Sequence, residues 1–306
     1  MPAIPILCFE LLGSGSVISL EQLAALDLSL WLGNGDMAAR LLHCNQSTIS
    51  RRRCAALDVL DLRLFRRGSD SILLGDRELL AAERKVHQLA RLKGLAPLRL
   101  EGTYASGPWF LAQPLPGWIT GSFDLPGREL PLQLLRERVI DAWVGSYQPD
   151  LPDPEDPHWW VLDLLREPVR LLAASDHPLA GVRRPIQADL RRFPSLALPG
   201  GWFPRTEAIL QGQGLWQDPV AMGRYDPADW EGRCADGVTL TYGTSLTESL
   251  QPVTTPLDWD LGLITGEALV VRRDLMERPA IQALAEALTL RARCVAARFA
   301  DVEAVR

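Results

Sequence analysis

Residues 43–53, His43-Cys44-Asn45-Gln46-Ser47-Thr48-Ile49-Ser50-Arg51-Arg52-Arg53 (HCNQSTISRRR), decide how the rest of the chain is read. Asn45 is a good N-cap, because its short side-chain carbonyl can accept from the free amides of a first helical turn. A helix opening at Gln46 would run to about Val59. It would carry small polar side chains on its first turn and three arginines on its second. Long donors beside short ones suit a helix that grips phosphates and touches base edges. A solvated charged face has the same composition, so the neighbouring segments have to decide.

Working outward, SLEQLAALDLSLWLG (19–33) has apolar residues near helical spacing and stops at Gly33. DMAARLLHC (36–44) reads as a short helix with Asp36 as its N-cap and Ala38-Ala39 in its middle. Two short helices joined by a tight turn, small residues on the first and polar ones opening the second, read as helix-turn-helix. LRLFRRGSDSILLG (62–75) alternates around Gly-Ser-Asp as a small hairpin wing would. DRELLAAERKVHQLARLKG (76–94) is a long amphipathic helix, with Leu79, Leu80, Val86, Leu89 and Leu92 expected on or near one face.

Charge distribution agrees. The 306 residues carry a net charge of −6, which argues against a protein coated in nucleic acid. The basic charge is local: six arginines lie between Arg51 and Arg67, against Asp58 and Asp61. This suits one small nucleic-acid module on an acidic body. The five cysteines are scattered and form neither a disulfide framework nor zinc spacing, so a reducing cytoplasm is the expectation. The apolar start MPAIPILCFELLGSGS lacks a basic leader region and a cleavage site, and no apolar run approaches a membrane span. His43 beside Cys44 reads as a helix end, not a metal site.

After Gly94 the texture changes to alternating strands and helices. APLRLEGTY, the end of ELPLQLLRERVIDAWVGSY, REPVRLLAASDHPLAG, FPSLALPGG and VTLTYG read as strands, and RPAIQALAEALTLRARCVAARF as a closing helix. An α/β body with a largely parallel sheet is expected. The candidate ligand site is a cleft between two α/β halves, built from loops at strand C-termini that lead into helices. Such loops offer amides and a positive dipole end to an anion. Thr103, Ser106, Ser146, Gly201 and Trp202 are the candidate effector contacts. Ser175-Asp176-His177 is a turn, since adjacent residues do not form a catalytic triad, and no nucleophile elbow, P-loop or zinc-protease motif occurs. No catalytic residue, metal or cofactor is expected.

MAARLLHCNQSTISRRRCAALDVLDLRLFRR (37–67) resembles the N-terminal domain of the LysR-type transcriptional regulators. The paired alanines, Leu42-His43, the Gln46…Ile49-Ser50-Arg51 spacing and the Arg63-Leu64-Phe65 closure carry the resemblance. LRLEGTYAS, ERVIDAWV and REPVRLLAASDHPLA are similar to segments of that family's effector domain. The resemblance implies a winged helix-turn-helix over 1–75, a linker (dimerisation) helix over 76–94, and a two-lobed, periplasmic-binding-protein-like α/β effector domain over 95–306. It implies a homodimer or homotetramer on double-stranded DNA, controlled by a small-molecule effector, and it points most directly to Thr103 for that effector. Gln46, Ser47, Thr48, Ser50, Arg51 and Arg52 on the second helix, with Arg66 and Arg67 on the wing, are then the expected DNA contacts. Three positions depart from the family pattern: Ser47 replaces its usual proline, Arg53 takes an apolar place, and Gly35-Asp36 displace a bulky apolar residue. Arg53 is expected to lay its stem on the core. A regulator-like protein that binds a partner without tight DNA binding, and an enzyme built on the α/β body, are the competing function classes.

Overall fold

The computed structural model describes residues 17–67, 70–146, 149–250 and 254–305, with the side chains of 66, 67, 70 and 71 outside the description. Contacts group the chain into two units, Met1–Arg66 with Ser71–His87, and Arg67–Asp70 with Gln88–Arg306.

The first unit opens with α1 (Leu20–Leu32). Ser19 and Gln22 form a reciprocal capping box at its start, and Gly33 closes it in the left-handed conformation that a residue without Cβ adopts at no steric cost. In α2 (Gly35–Leu41) the N-cap is Asn34, not the expected Asp36. Asn34 Oδ1 accepts from the amides of Asp36 and Met37 at 2.9 and 3.3 Å. The helix therefore starts two residues earlier, and Asp36 adds its charge to the first turn. His43, with φ 50°, makes the turn into α3 (Gln46–Val59), which spans the residues expected and is capped by Asn45. The hairpin β1 (Arg63–Arg67) and β2 (Asp70–Leu74) follows. Leu23, Leu26, Ala56, Leu60, Leu62, Leu73 and Leu80 share one core.

The long helix α4 (Glu78–Leu92) corrects the expected apolar face. Leu80 is buried, but Leu79, Val86 and Leu89 are exposed. The buried side carries Arg84, His87, Gln88 and Arg91 instead. Arg84 Nε donates to Asp27 Oδ1 of α1 at 2.9 Å. Arg91 and Gln88 meet a different carboxylate, Asp141, at 2.8 to 3.0 Å. Charged pairs thus hold the inner face, and the apolar stripe points outward.

The second unit has two lobes. The first is a five-stranded sheet in the order β4-β3-β5-β12-β6, made of β3 (Leu98–Gly102), β4 (Trp118–Thr120), β5 (Ala142–Gly145), β6 (Trp159–Asp163) and β12 (Ala268–Arg272). Helices α5 (Glu129–Arg136) and α9 (Pro279–Ala296) belong to this lobe. Leu100, Phe110, Ala142, Val144, Leu269, Val271, Ile281 and Leu288 are packed in its core. In the second lobe, β7 (Leu165–Ala174) pairs with β10 (Thr241–Gly243), β11 (Thr254–Thr265) and the terminal β13 (Glu303–Ala304). Around them lie α6 (Gln187–Leu190), β8 (Leu196–Ala197), α7 (Pro204–Gly212), β9 (Asp218–Pro219) and α8 (Ser245–Leu250). Leu171, Leu196, Leu210, Leu240 and Leu261 are in a second, separate core.

The five-stranded sheet is mixed and the sheet around β7 is antiparallel, which corrects the expectation of a largely parallel one. β3 runs parallel to β4 and β5, but β12 is antiparallel to β5 and β6, and β10, β11 and β13 are all antiparallel to β7. The cause is topological. The chain leaves the first lobe at Leu164, returns to it at 266–267 and passes over once more after α9 to reach β13, so strands that meet at the crossings run in opposite directions. At the second crossing a Cβ on Gly266 would lie 2.0 Å from the carbonyl oxygen of Leu165, so only glycine fits there.

Candidate functional site

On α3 the exposed side chains at the N-terminal end are Gln46, Ser47, Ser50 and Arg51, while Ile49 is buried, as are Ala38 and Ala39 of α2. This face is what a recognition helix needs. The hydroxyls of Ser47 and Thr48 have another use within the chain. Both donate to Asn45 Oδ1 at 2.8 Å, the atom that also accepts the Thr48 amide. Arg51 donates to Thr48 Oγ1 at 3.2 Å. Arg52 reaches back to Glu21 of α1 at 2.6 Å, in an exposed pair. Gln46 and Arg51 are therefore left exposed, Ser47 and Thr48 are bonded to the cap, and Arg52 is tied back to α1. The missing Cβ of Gly35 leaves room for Gln46, whose Cγ would stand 3.1 Å from it. Arg53 lies partly buried with its Nε enclosed and unpartnered, as a stem laid on the core would be. The side chains of Arg66 and Arg67 lie outside the described residues.

In the second unit three of the five candidate effector residues come together. Thr103 follows β3, Ser106 lies in the next turn, and Ser146 follows β5, which is parallel and adjacent to β3. The Thr103 amide donates to Ser106 Oγ at 2.7 Å, and the Ser106 amide donates to Thr103 Oγ1 at 3.1 Å. Thr103 and Ser146 hydroxyls are hydrogen-bonded to each other. Ser146 Oγ then donates to Glu267 Oε2 at 2.7 Å. The chain of hydroxyls ends on a fully buried carboxyl, and burial pushes that carboxyl well above its ordinary range.

Gly201 and Trp202 belong to a different set of contacts, in the second lobe. The Gly201 amide donates to Glu207 at 3.0 Å. Trp202 packs over Gly127, where a Cβ would stand 3.2 Å from its ring. The first amides of α7 are also occupied. Asp150, a buried carboxylate from the proline-rich loop, accepts from the amides of Arg205 and Thr206 at 2.9 and 3.0 Å and from the Thr206 hydroxyl at 2.6 Å. The chain fills this helix N-terminus with its own acid.

Further contacts join the lobes. Tyr104 stacks on Tyr225 at 3.7 Å between ring centres, and the Tyr225 hydroxyl donates to Glu231. Burial raises both the Tyr225 phenol and the Glu231 carboxyl. Arg224 donates to Asp124 at 2.7 Å, and the Tyr225 amide donates to the Asp124 carbonyl at 2.7 Å. Sequence reasoning missed Glu101, Glu167 and Glu267, all buried here. Their signal was a lone glutamate inside an apolar strand, in LRLEG, LLREPVRLL and LITGEALV. Such a residue carries a cost unless a specific partner meets it.

The comparisons agree with this architecture. Residues 125–223 match the LysR substrate binding domain. A full-length OxyR variant from Pseudomonas aeruginosa superposes with a TM-score of 0.53 at 19% identity, over 89% of this chain and 95% of that one. CbnR in complex with its target DNA gives 0.51 at 15% identity, over 90% and 100%. A hydrogen-peroxide-bound OxyR mutant from Corynebacterium glutamicum gives 0.50 at 18% identity, over 91% and 94%. No curated protein sequence matches the chain. The match to a LysR substrate binding domain over residues 125–223 therefore lies inside a chain whose fold is similar to that of these full-length structures.

Proposed function

We propose that the chain is a sequence-specific, DNA-binding transcription regulator whose state is set by a small molecule in the cleft between the lobes. The observation that carries this reading is α3: an Asn45-capped helix with Ile49 buried and Gln46, Ser50 and Arg51 exposed at its N-terminal end. That is the geometry by which a helix enters the major groove. Gln46 would pair with adenine and Arg51 with guanine or phosphate. CbnR, which shares the fold, was solved with its target DNA. The effector would meet Thr103 and Ser146, the two hydroxyls that head the hydrogen-bonded chain to Glu267.

The exposed stripe of Leu79, Val86 and Leu89 on α4 supports a homodimer or homotetramer paired through this helix. Among the described residues no helix is long and apolar enough to cross a membrane. The reading places the protein in the cytoplasm with its DNA and gives it no catalytic step.

The test is enrichment from a pool of genomic fragments at two salt concentrations, with a Gln46→Ala, Arg51→Ala variant alongside. A two-fold-related site enriched by the natural chain, lost in the variant and weakened by salt is the expected result. No enrichment above the variant would leave a ligand- or partner-binding protein of the same architecture.

A further inference from the structure

Two of the crossings between the lobes have a buried glutamate in them or close by. Glu267 lies in the second crossing, immediately before β12. Glu167 lies in β7, two residues past the start of that strand. The crossings are laced together: the amides of Leu164 and Leu165 donate to the Glu267 carbonyl at 2.8 and 3.3 Å, and Glu167 stands opposite Thr265 in the β7–β11 register. Both side chains are at most 3% exposed.

The surroundings are short of positive charge. Glu267 has the Ser146 hydroxyl as its hydrogen-bond donor and feels the charge of Glu167. Glu167 is met by the Thr244 hydroxyl, by the Leu246 amide at 3.4 Å, by the charge of Asp301 and by that of Arg170. Arg170 is the only cation among these groups, and it is shared. It pairs with Glu248 of α8 at 3.2 Å and with Asp301, which also accepts from Ser245 at 2.9 Å. Arg166, next to Glu167 in β7, is paired with Asp163. One guanidinium therefore faces Glu167, Glu248 and Asp301, while Glu267 is met by the Ser146 hydroxyl and the charge of Glu167.

We propose that the Glu167 and Glu267 carboxyls make the inter-lobe hinge a proton-responsive switch, held in the arrangement described here while they carry protons and released when both ionise. Two buried carboxylates with one shared counter-charge repel each other, and water entry or strand separation is the available relief. Geometry supplies the leverage, because β7 and the segment before β12 carry the chain from one lobe to the other. Burial first, then the Asp301 charge, lifts Glu167 to about 7 against its hydrogen bonds and Arg170, and burial, with the charge of Glu167, lifts Glu267 well above its ordinary value. Proton binding at a pair of coupled acids is a property of the pair, so the switch has one joint transition and not two independent ones.

The test uses the purified full chain without DNA, so it stands or falls separately from the regulator reading. Amide hydrogen exchange, corrected for its intrinsic pH dependence, is followed in peptides spanning 165–174 and 257–268 between pH 5.5 and 8.5. Protection in the natural chain is expected to fall by about tenfold or more on crossing neutral pH. A Glu167→Gln, Glu267→Gln variant, which mimics the protonated pair in shape and neutrality, should keep the acid-state protection throughout. Thr244→Val removes a hydrogen bond that favours ionised Glu167 and should move the midpoint upward. A flat profile in the natural chain, or a double variant that follows the natural profile, overturns the proposal. If circular dichroism shows the double variant unfolded, an unmoved midpoint in Thr244→Val overturns it instead.

Discussion

Asn45 is where the candidate DNA-binding surface and the stability of its helix meet. One side-chain oxygen accepts from the Thr48 amide and from the hydroxyls of Ser47 and Thr48. Ser47 stands where the family usually has proline, and the cap explains how it is used: it gives its proton to Asn45 and so helps fix the first turn. Asn45→Ala should cost about 1 kcal/mol of stability in denaturant unfolding and free both hydroxyls. An unchanged unfolding midpoint would mean that the turn is held by packing alone. Arg53 gives the opposite prediction. Its enclosed Nε has no partner, and an unsatisfied buried donor costs on the order of 1–3 kcal/mol. Arg53→Leu restores an apolar side chain at that place and should raise the melting temperature by a few degrees. A lower melting temperature would show that the guanidinium head contributes more than its Nε loses.

At the scale of elements, α4 departs most from its sequence pattern. Its inner face rests on the Arg84–Asp27 pair, with both side chains at most 3% exposed. Removing one partner of a buried pair strands the other, so Asp27→Ala should cost roughly 3–5 kcal/mol, whereas Asp27→Leu with Arg84→Met should cost far less. Equal losses in the two variants would sink that account. Outward, Val86→Glu with Leu89→Glu should lower the oligomeric mass seen by light scattering, if α4 pairs protomers. The sequence displayed α1 and α3 well because their ends carry local signals: Ser19 with Gln22, Gly33 and Asn45 act within one turn. It did not display which face of α4 is inner, because Leu79 and Leu80 are adjacent and only tertiary contacts choose between them. Strand direction was equally hidden, since β11 and β12 are reversed by the crossings between lobes and not by anything in their own residues. Thr103 and Ser146 were legible as residues at strand ends. Glu267 and Glu167 were not, because their meeting depends on two crossings about a hundred residues apart in the chain.

For the whole molecule these buried acids set a sign for stability against pH. Glu167 has an ordinary value of 4.5 in the free chain and about 7 when folded. Between those values the folded protein holds a proton that the unfolded chain has released, so unfolding gains nothing from acid and the fold is favoured by it. Stability from this group is therefore full below about 4.5, declines as pH rises through the window, and is gone above about 7. At roughly 1.4 kcal/mol per unit the loss is on the order of 3 kcal/mol, and Glu267, raised for the same reason, acts in the same sense. Asp236 and Asp274 are shifted the other way, held low by the Thr239 hydroxyl and by Arg272 respectively, but their effect falls below the ordinary 3.8 of an aspartate and leaves this window alone. The melting temperature of the full chain should accordingly fall by several degrees between pH 5.5 and 8. Glu167→Gln should flatten part of that slope while lying close to the natural chain at the acid end. A melting temperature that climbs across the window, or the same slope in both proteins, would show that the hinge carboxyls are already ionised in the folded state and are stabilised by a counter-charge outside the cluster around Arg170.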